Sequence, residues 1–141
     1  RDISEDALTV AGANAGRLGA AGRVEFVCCD LFPPDAEKFD LIVSNPPYVK
    51  STDIAELQPE VRREPRPALD GGPDGLDAFR RIIPGAGKAL NAIGCLMLEI
   101  GYDQRADVTR LIEKTEFFNV EDVVKDYNGI DRVLVARRRE E

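Results

Sequence analysis

Apolar residues recur at Leu8, Ala11, Ala15 and Leu18, a spacing that gathers them on one face of a helix. Ser4 stands where an N-cap belongs, Glu5 and Asp6 favour the positive end of the helix dipole, and Gly19 is placed to end the element. Val24 to Cys29 then runs β-branched and apolar up to Asp30, and Phe39 to Ser44 does the same up to Asn45. Both stretches predict buried parallel strands. Between Lys50 and Gly75 the chain turns to Pro, Glu, Arg, Asp and Gly, which predicts a long loop with Gly71-Gly72-Pro73 as a turn. Leu76, Phe79, Ile82 and Ile83 open a second amphipathic helix that Pro84 should kink or cut short. A strand is expected over Cys95 to Ile100, and Val108, Leu111 and Ile112 mark a helix over Gln104 to Thr115. Finally, Phe117 to Lys125 and Ile130 to Ala136 flank Asn128-Gly129, a dipeptide suited to a hairpin turn. Strands alternating with helices and closed by that hairpin predict an α/β fold, its sheet mostly parallel with a C-terminal antiparallel hairpin.

Composition narrows the function more than the fold. The chain has 141 residues, the size of one domain, and 1–141 is read as one. A net charge of -7 argues against a broad phosphate-binding face and towards a protein or small-molecule substrate, with no direct nucleic acid expected. The run Arg137, Arg138, Arg139, followed by Glu140 and Glu141, reads as a solvated tail. Cys28, Cys29 and Cys95 have neither metal-ligand spacing nor an even disulfide set, and with no histidine the commonest metal ligand and the imidazole-assisted nucleophiles are gone. No metal is expected. No apolar run approaches the length of a membrane span and the start carries no recognisable secretory or transit peptide, so the expected location is cytoplasmic. Gly85-Ala86-Gly87-Lys88 lacks the spacing and the Ser or Thr of a phosphate loop.

Chemistry concentrates in Asn45-Pro46-Pro47-Tyr48, at the carboxyl end of an expected buried strand, where open α/β sheets bind ligands. A residue before proline is pushed towards extended backbone, and neither proline carries an N–H. The Asn45 side-chain oxygen and the Pro46 carbonyl can then face outwards as paired acceptors. Such a pair suits an NH2 group, whose protons it holds while the nitrogen faces an electrophile. Tyr48 adds a flat surface for a planar amide or base. A stiff turn leaving a strand has the same composition, and the strand-end placement favours the binding reading.

The tetrapeptide is similar to the signature of methyltransferases acting on exocyclic or amide nitrogens. A fuller pattern resembles the HemK/PrmC-type release factor glutamine methyltransferases: Asp2-Ile3-Ser4, Asp30-Leu31-Phe32, Val43 to Val49, Glu64-Pro65, Ala68-Leu69, Gly71-Gly72, Asp74-Gly75-Leu76 and Leu98 to Tyr102. The resemblance implies a Rossmann-like, S-adenosylmethionine-dependent fold and methyl transfer to a glutamine side-chain amide of a peptide chain release factor. It assigns Asp2 to the ribose hydroxyls, Asp30 and Leu31 to the adenine, and Asn45, Pro46, Pro47 and Tyr48 to the substrate amide. Asn45 would also lie near the methionine part of the cofactor, and Glu64, Pro65 and Gly71-Gly72 would help cover the substrate. Glu99 is left out as structural. The first strand with its glycine-rich loop and the N-terminal substrate-recognition domain of the family are not in this chain, so a partial catalytic domain with unpaired strand edges is expected. Two further readings are a nucleic-acid methyltransferase acting on adenine or guanine amino groups, and a catalytically silent fragment. Oligomeric state has no signal in the sequence.

Overall fold

The computed structural model describes residues 1–32 and 38–140; Glu141, at the end of the expected solvated tail, lies outside them. The chain divides into two compact units, Arg1–Glu37 and Lys38–Glu141.

In the first unit, α1 (Glu5–Arg17) begins at Ser4, whose side chain accepts the Ala7 N–H, and carries Glu5 and Asp6 in its first turn. It ends as expected from the sequence. Gly19 takes φ +67, and the Ala20 N–H reaches back to the Ala15 carbonyl at 2.8 Å, which satisfies a carbonyl the helix itself leaves open. Of the expected apolar stripe, Ala15 is buried, whereas Leu18 is 80% exposed at the C-cap. The stretch Val24 to Cys29 is not the buried strand that its composition predicts. It forms one parallel bridge, Asp2 to Cys28, and Val24 and Phe26 stay exposed. Its partner is the short segment before α1, and β-propensity makes a strand only where there is a neighbouring strand to pack on.

The second unit holds a four-stranded sheet in the order β1 (Phe39–Ser44), β2 (Leu90–Glu99), β4 (Asp131–Arg138), β3 (Phe118–Lys125). β1 and β2 run parallel, and the β2–β4 and β3–β4 pairs are antiparallel. The sheet is thus mixed, and the parallel part expected from the sequence is the β1–β2 pair. β1 stands at one edge, with Leu41 51% and Val43 68% exposed. The core lies between β2, β4 and two helices, α3 (Asp77–Ala89) and α4 (Arg105–Glu113), where Phe79, Ile82, Ile83, Leu96, Leu98, Val108, Ile112, Phe118 and Leu134 are buried. A short helix, α2 (Arg66–Leu69), interrupts the expected loop.

Two further expectations are corrected and one is narrowed. Of the two outcomes expected at Pro84, a kink or an end, α3 does not end there: the missing N–H removes a bond to the carbonyl of Arg80, on an exposed face where water can replace it. β2 begins at Leu90, five residues before the expected start, because Phe39 pairs Leu90 and Leu41 pairs Cys95 across an irregular stretch with Ile93 at φ 58. Arg137 and Arg138 belong to β4 rather than to a tail, and Arg137 pairs with Glu121 of β3 at 3.0 Å. The hairpin turns at Asn128-Gly129, with Gly129 at φ +79 and the Asp126 carboxylate accepting the N–H groups of Asn128 and Ile130. Among the described residues no helix is long and apolar enough to cross a membrane.

Candidate active site

The parallel register pairs Ser44 with Leu98, so Asn45 leaves β1 at the level where β2 reaches Glu99. Asn45 is exposed, and its side chain makes no hydrogen bond among the described residues. Pro46 is buried, and Pro47 and Tyr48 are half-buried. Of the paired acceptors expected from the sequence, the Asn45 oxygen therefore lies open. Pro46 is buried as a residue, and no backbone N–H among the described residues is bonded to its carbonyl.

Tyr48 crosses to the neighbouring strand and donates its hydroxyl to Glu99 Oε1 at 3.0 Å. Burial and the Glu99 carboxylate hold the phenol above its ordinary value, and Arg132 opposes them. Because the folded value lies above the unfolded one, the stability tied to this proton is complete below the ordinary 10.0 and is lost as pH rises through the folded value. In an ultraviolet titration, the ionisation that disappears in Tyr48→Phe should have its midpoint above 10.0. A midpoint at or below that value would contradict the Tyr48–Glu99 contact.

The chain beyond the corner is tied down at once. Val49 donates to the Leu69 carbonyl at 2.9 Å, Gly71 donates to the Val49 carbonyl at 2.8 Å, and Ser51 donates to the Gly72 carbonyl at 2.9 Å. The Ser51 hydroxyl and the Gly72 N–H both reach Asp70 Oδ1, and with Arg66 they hold that carboxyl below the usual carboxylate range. Gly71 is required by a close approach: a Cβ there would stand 2.9 Å from the Pro47 carbonyl oxygen and from the Gly75 backbone. Glu64 and Pro65, expected over the substrate, are exposed at the start of α2 and make no hydrogen bond to the corner among the described residues. One open depression is lined by Ser51, Arg66, Asp70, Gly72 and Asp77, and another by Tyr102, Arg105, Thr109 and Val123. Neither is lined by Asn45 to Tyr48.

Asp2, Asp30 and Leu31 belong to the first unit. The Asp2–Cys28 bridge brings them to one end of it. One Asp2 oxygen accepts the Ser4 N–H at 2.9 Å, and Asp30 is exposed. Leu31 has φ 65, a left-handed backbone that costs a leucine roughly 1–2 kcal/mol and that persists where surroundings over-determine it.

Two residues beside the corner were not read as site residues from the sequence. Glu99 anchors Tyr48, and its place at the carboxyl end of the strand beside β1 was the available signal. Gln104, 4% exposed, donates from Nε2 to the Tyr48 carbonyl at 3.0 Å and to the Gly75 carbonyl at 3.1 Å, while its Oε1 accepts the Gly101 N–H at 2.9 Å. Nothing in its local sequence announces this role. Among the described residues no cluster of Cys, Asp and Glu is placed to hold a metal ion.

Residues 1–64 match a family model described as an RMKL-like methyltransferase domain. Over 141 residues, 99% of the chain, the sequence is 48% identical to the release factor glutamine methyltransferase of Moorella thermoacetica and covers 50% of that protein. It is 47% identical to the release factor glutamine methyltransferase of Agrobacterium fabrum, over 97% of the chain and 47% of the relative. The chain therefore spans about half the length of the curated relatives it matches. The crystal structure of ribosomal protein L11 methylase from Lactobacillus delbrueckii subsp. bulgaricus superposes with a TM-score of 0.68 at 20% identity, covering 99% of this chain and 56% of that one, so the two share a fold. Along nearly its whole length, therefore, this chain is similar to the release factor glutamine methyltransferases.

Proposed function

We propose that the protein transfers a methyl group from S-adenosylmethionine to the side-chain amide nitrogen of a glutamine in a peptide chain release factor, and that 1–141 is part of its catalytic domain. The observation that carries this reading is Asn45: an exposed amide with no hydrogen-bond partner among the described residues, on a corner stiffened by two prolines and bonded on its far side to a loop. The M. thermoacetica and A. fabrum relatives are named release factor glutamine methyltransferases, which supports the reading. Work on a translation factor goes with a cytoplasmic location.

The residues present fit such a cofactor. Asp2 and Asp30 offer carboxylate acceptors for ribose hydroxyls and an adenine amine, and the strained backbone at Leu31 turns an apolar side chain beside Asp30. When bound, S-adenosylmethionine supplies an electrophilic methyl group on a positively charged sulfur. An amide nitrogen is a weak nucleophile because its lone pair is delocalised into the carbonyl, so the protein's contribution is orientation. Asn45 Oδ1 and the Pro46 carbonyl would take the two amide protons, and the Tyr48 ring, fixed through Glu99, would flank the amide plane. Glu99 is occupied by the Tyr48 hydroxyl and the chain has no histidine. The amide proton would thus leave to solvent after the N–C bond has formed, while both acceptors hold the nitrogen.

The test is methyl transfer from labelled cofactor by the full-length protein, offered release factor, DNA and RNA in parallel. Label is expected in the release factor alone. Label in nucleic acid and none in release factor would replace this reading with methylation of adenine or guanine amino groups, and no label in any acceptor would leave a silent protein.

A further inference from the structure

We propose that Gln104 is a positioning residue for the substrate corner. Its buried amide clamps together the exit of the Asn45–Tyr48 segment, the Gly71–Leu76 turn and the end of β2, and so fixes the separation of the two acceptors. The inference rests on the glutamine-methylating reading above.

Three segments distant in sequence meet at this one side chain. Both Nε2 hydrogens are used, on the carbonyls of Tyr48 and Gly75, and Oε1 takes the Gly101 N–H. The Gln104 N–H also donates to the Gly101 carbonyl at 3.1 Å, which fixes its backbone at the start of α4. A primary amide has two donors on one end and acceptors on the other, and this joint uses both ends at once. Glutamate has the same outline but would set carboxylate oxygen against two carbonyl oxygens. Methionine fills the volume and satisfies none of the three groups, leaving buried backbone polar atoms unpaired.

Packing around the joint points the same way. A Cβ at Gly75 would lie 2.5 Å from the Tyr48 carbonyl oxygen and 2.7 Å from Gln104 Nε2, and one at Gly101 would lie 2.9 Å from Gln104 Oε1. The backbones on both sides of the amide therefore approach as closely as they do only because both residues are glycine, and Gly75 takes φ +76. The Tyr48 carbonyl is one residue beyond the pair Pro46-Pro47, which transmits a shift of that carbonyl to the acceptors instead of absorbing it. A displacement near 1 Å at an orienting group costs about 10²-fold in rate.

The experiment compares full-length wild type with Gln104→Met and Gln104→Glu. It measures methyl transfer to release factor, affinity for S-adenosylhomocysteine by calorimetry, and amide hydrogen exchange over residues 47–51 and 70–77. For both variants kcat is expected to fall by at least about tenfold, with S-adenosylhomocysteine affinity within about twofold of wild type. Exchange should quicken at those two segments while β2 and β4 keep their protection. A merely structural role would lower cofactor affinity and the protection of β2 and β4 together with activity, and that pattern would overturn the proposal. So would wild-type kcat in Gln104→Met, or unchanged exchange at both segments. If wild type itself does not methylate release factor, the functional reading fails on that arm, and the exchange arm still decides whether Gln104 clamps the corner.

Discussion

Asn45→Ala in the full-length protein is expected to lower methyl transfer by about 10²-fold or more, with a change in folding stability inside ~0.5 kcal/mol. The two halves of the expectation come from the same observation. Asn45 is exposed and its side chain bonds nothing among the described residues, so truncation leaves no cavity and no unpaired partner. Its backbone is constrained by the following proline rather than by its own side chain. What alanine removes is an acceptor for one amide proton, and with it the orientation of a nitrogen too weakly nucleophilic to react from a loose pose. Steady-state rates on release factor, paired with urea denaturation, measure both quantities. Turnover within a few-fold of wild type would end the amide-holding role, whatever the stability.

Gly75→Ala is expected to cost about 3 kcal/mol, a sum of left-handed backbone strain of roughly 1–2 and overpacking of roughly 1–3. Gly129→Ala supplies the reference. Both glycines have positive φ, +76 and +79, but a Cβ at Gly129 meets nothing within 4 Å while one at Gly75 meets the Tyr48 carbonyl oxygen and Gln104 Nε2. Gly129→Ala should therefore show only the strain, about 1 kcal/mol. The difference between the two denaturation midpoints, read at constant slope, isolates the tight contact behind the corner. Equal losses at the two positions would mean that the corner yields, and the rigidity on which the proposed chemistry depends would go with it.

Elements with a short-range pattern were legible in the residues themselves. The Asn128-Gly129 hairpin, the cap at Ser4, the helix around Val108 and Ile112 and the strand Phe39–Ser44 each carry their signal within a few positions. Val24 to Cys29 misleads because its apolar composition describes a strand only in the presence of a partner long enough to pair. At Pro84 the residues alone leave a kink or an end open: buried Phe79, Ile82, Ile83 and Ala86 hold α3 to the sheet on both sides of it, and that burial outweighs one lost bond. In the candidate site, Asn45 to Tyr48 could be found because diproline restricts the backbone locally. Gln104 could not, since its role consists of three backbone groups that only the folded chain assembles around it.

The position of β1 also bears on how this chain behaves in solution. Among the described residues β1 is the edge strand, paired with β2, and Leu41 and Val43 lie open on it. Unpaired backbone groups on a strand edge are a template for strand addition, and the net charge of -7 opposes the pairing of two copies there through a mutual repulsion that added salt screens.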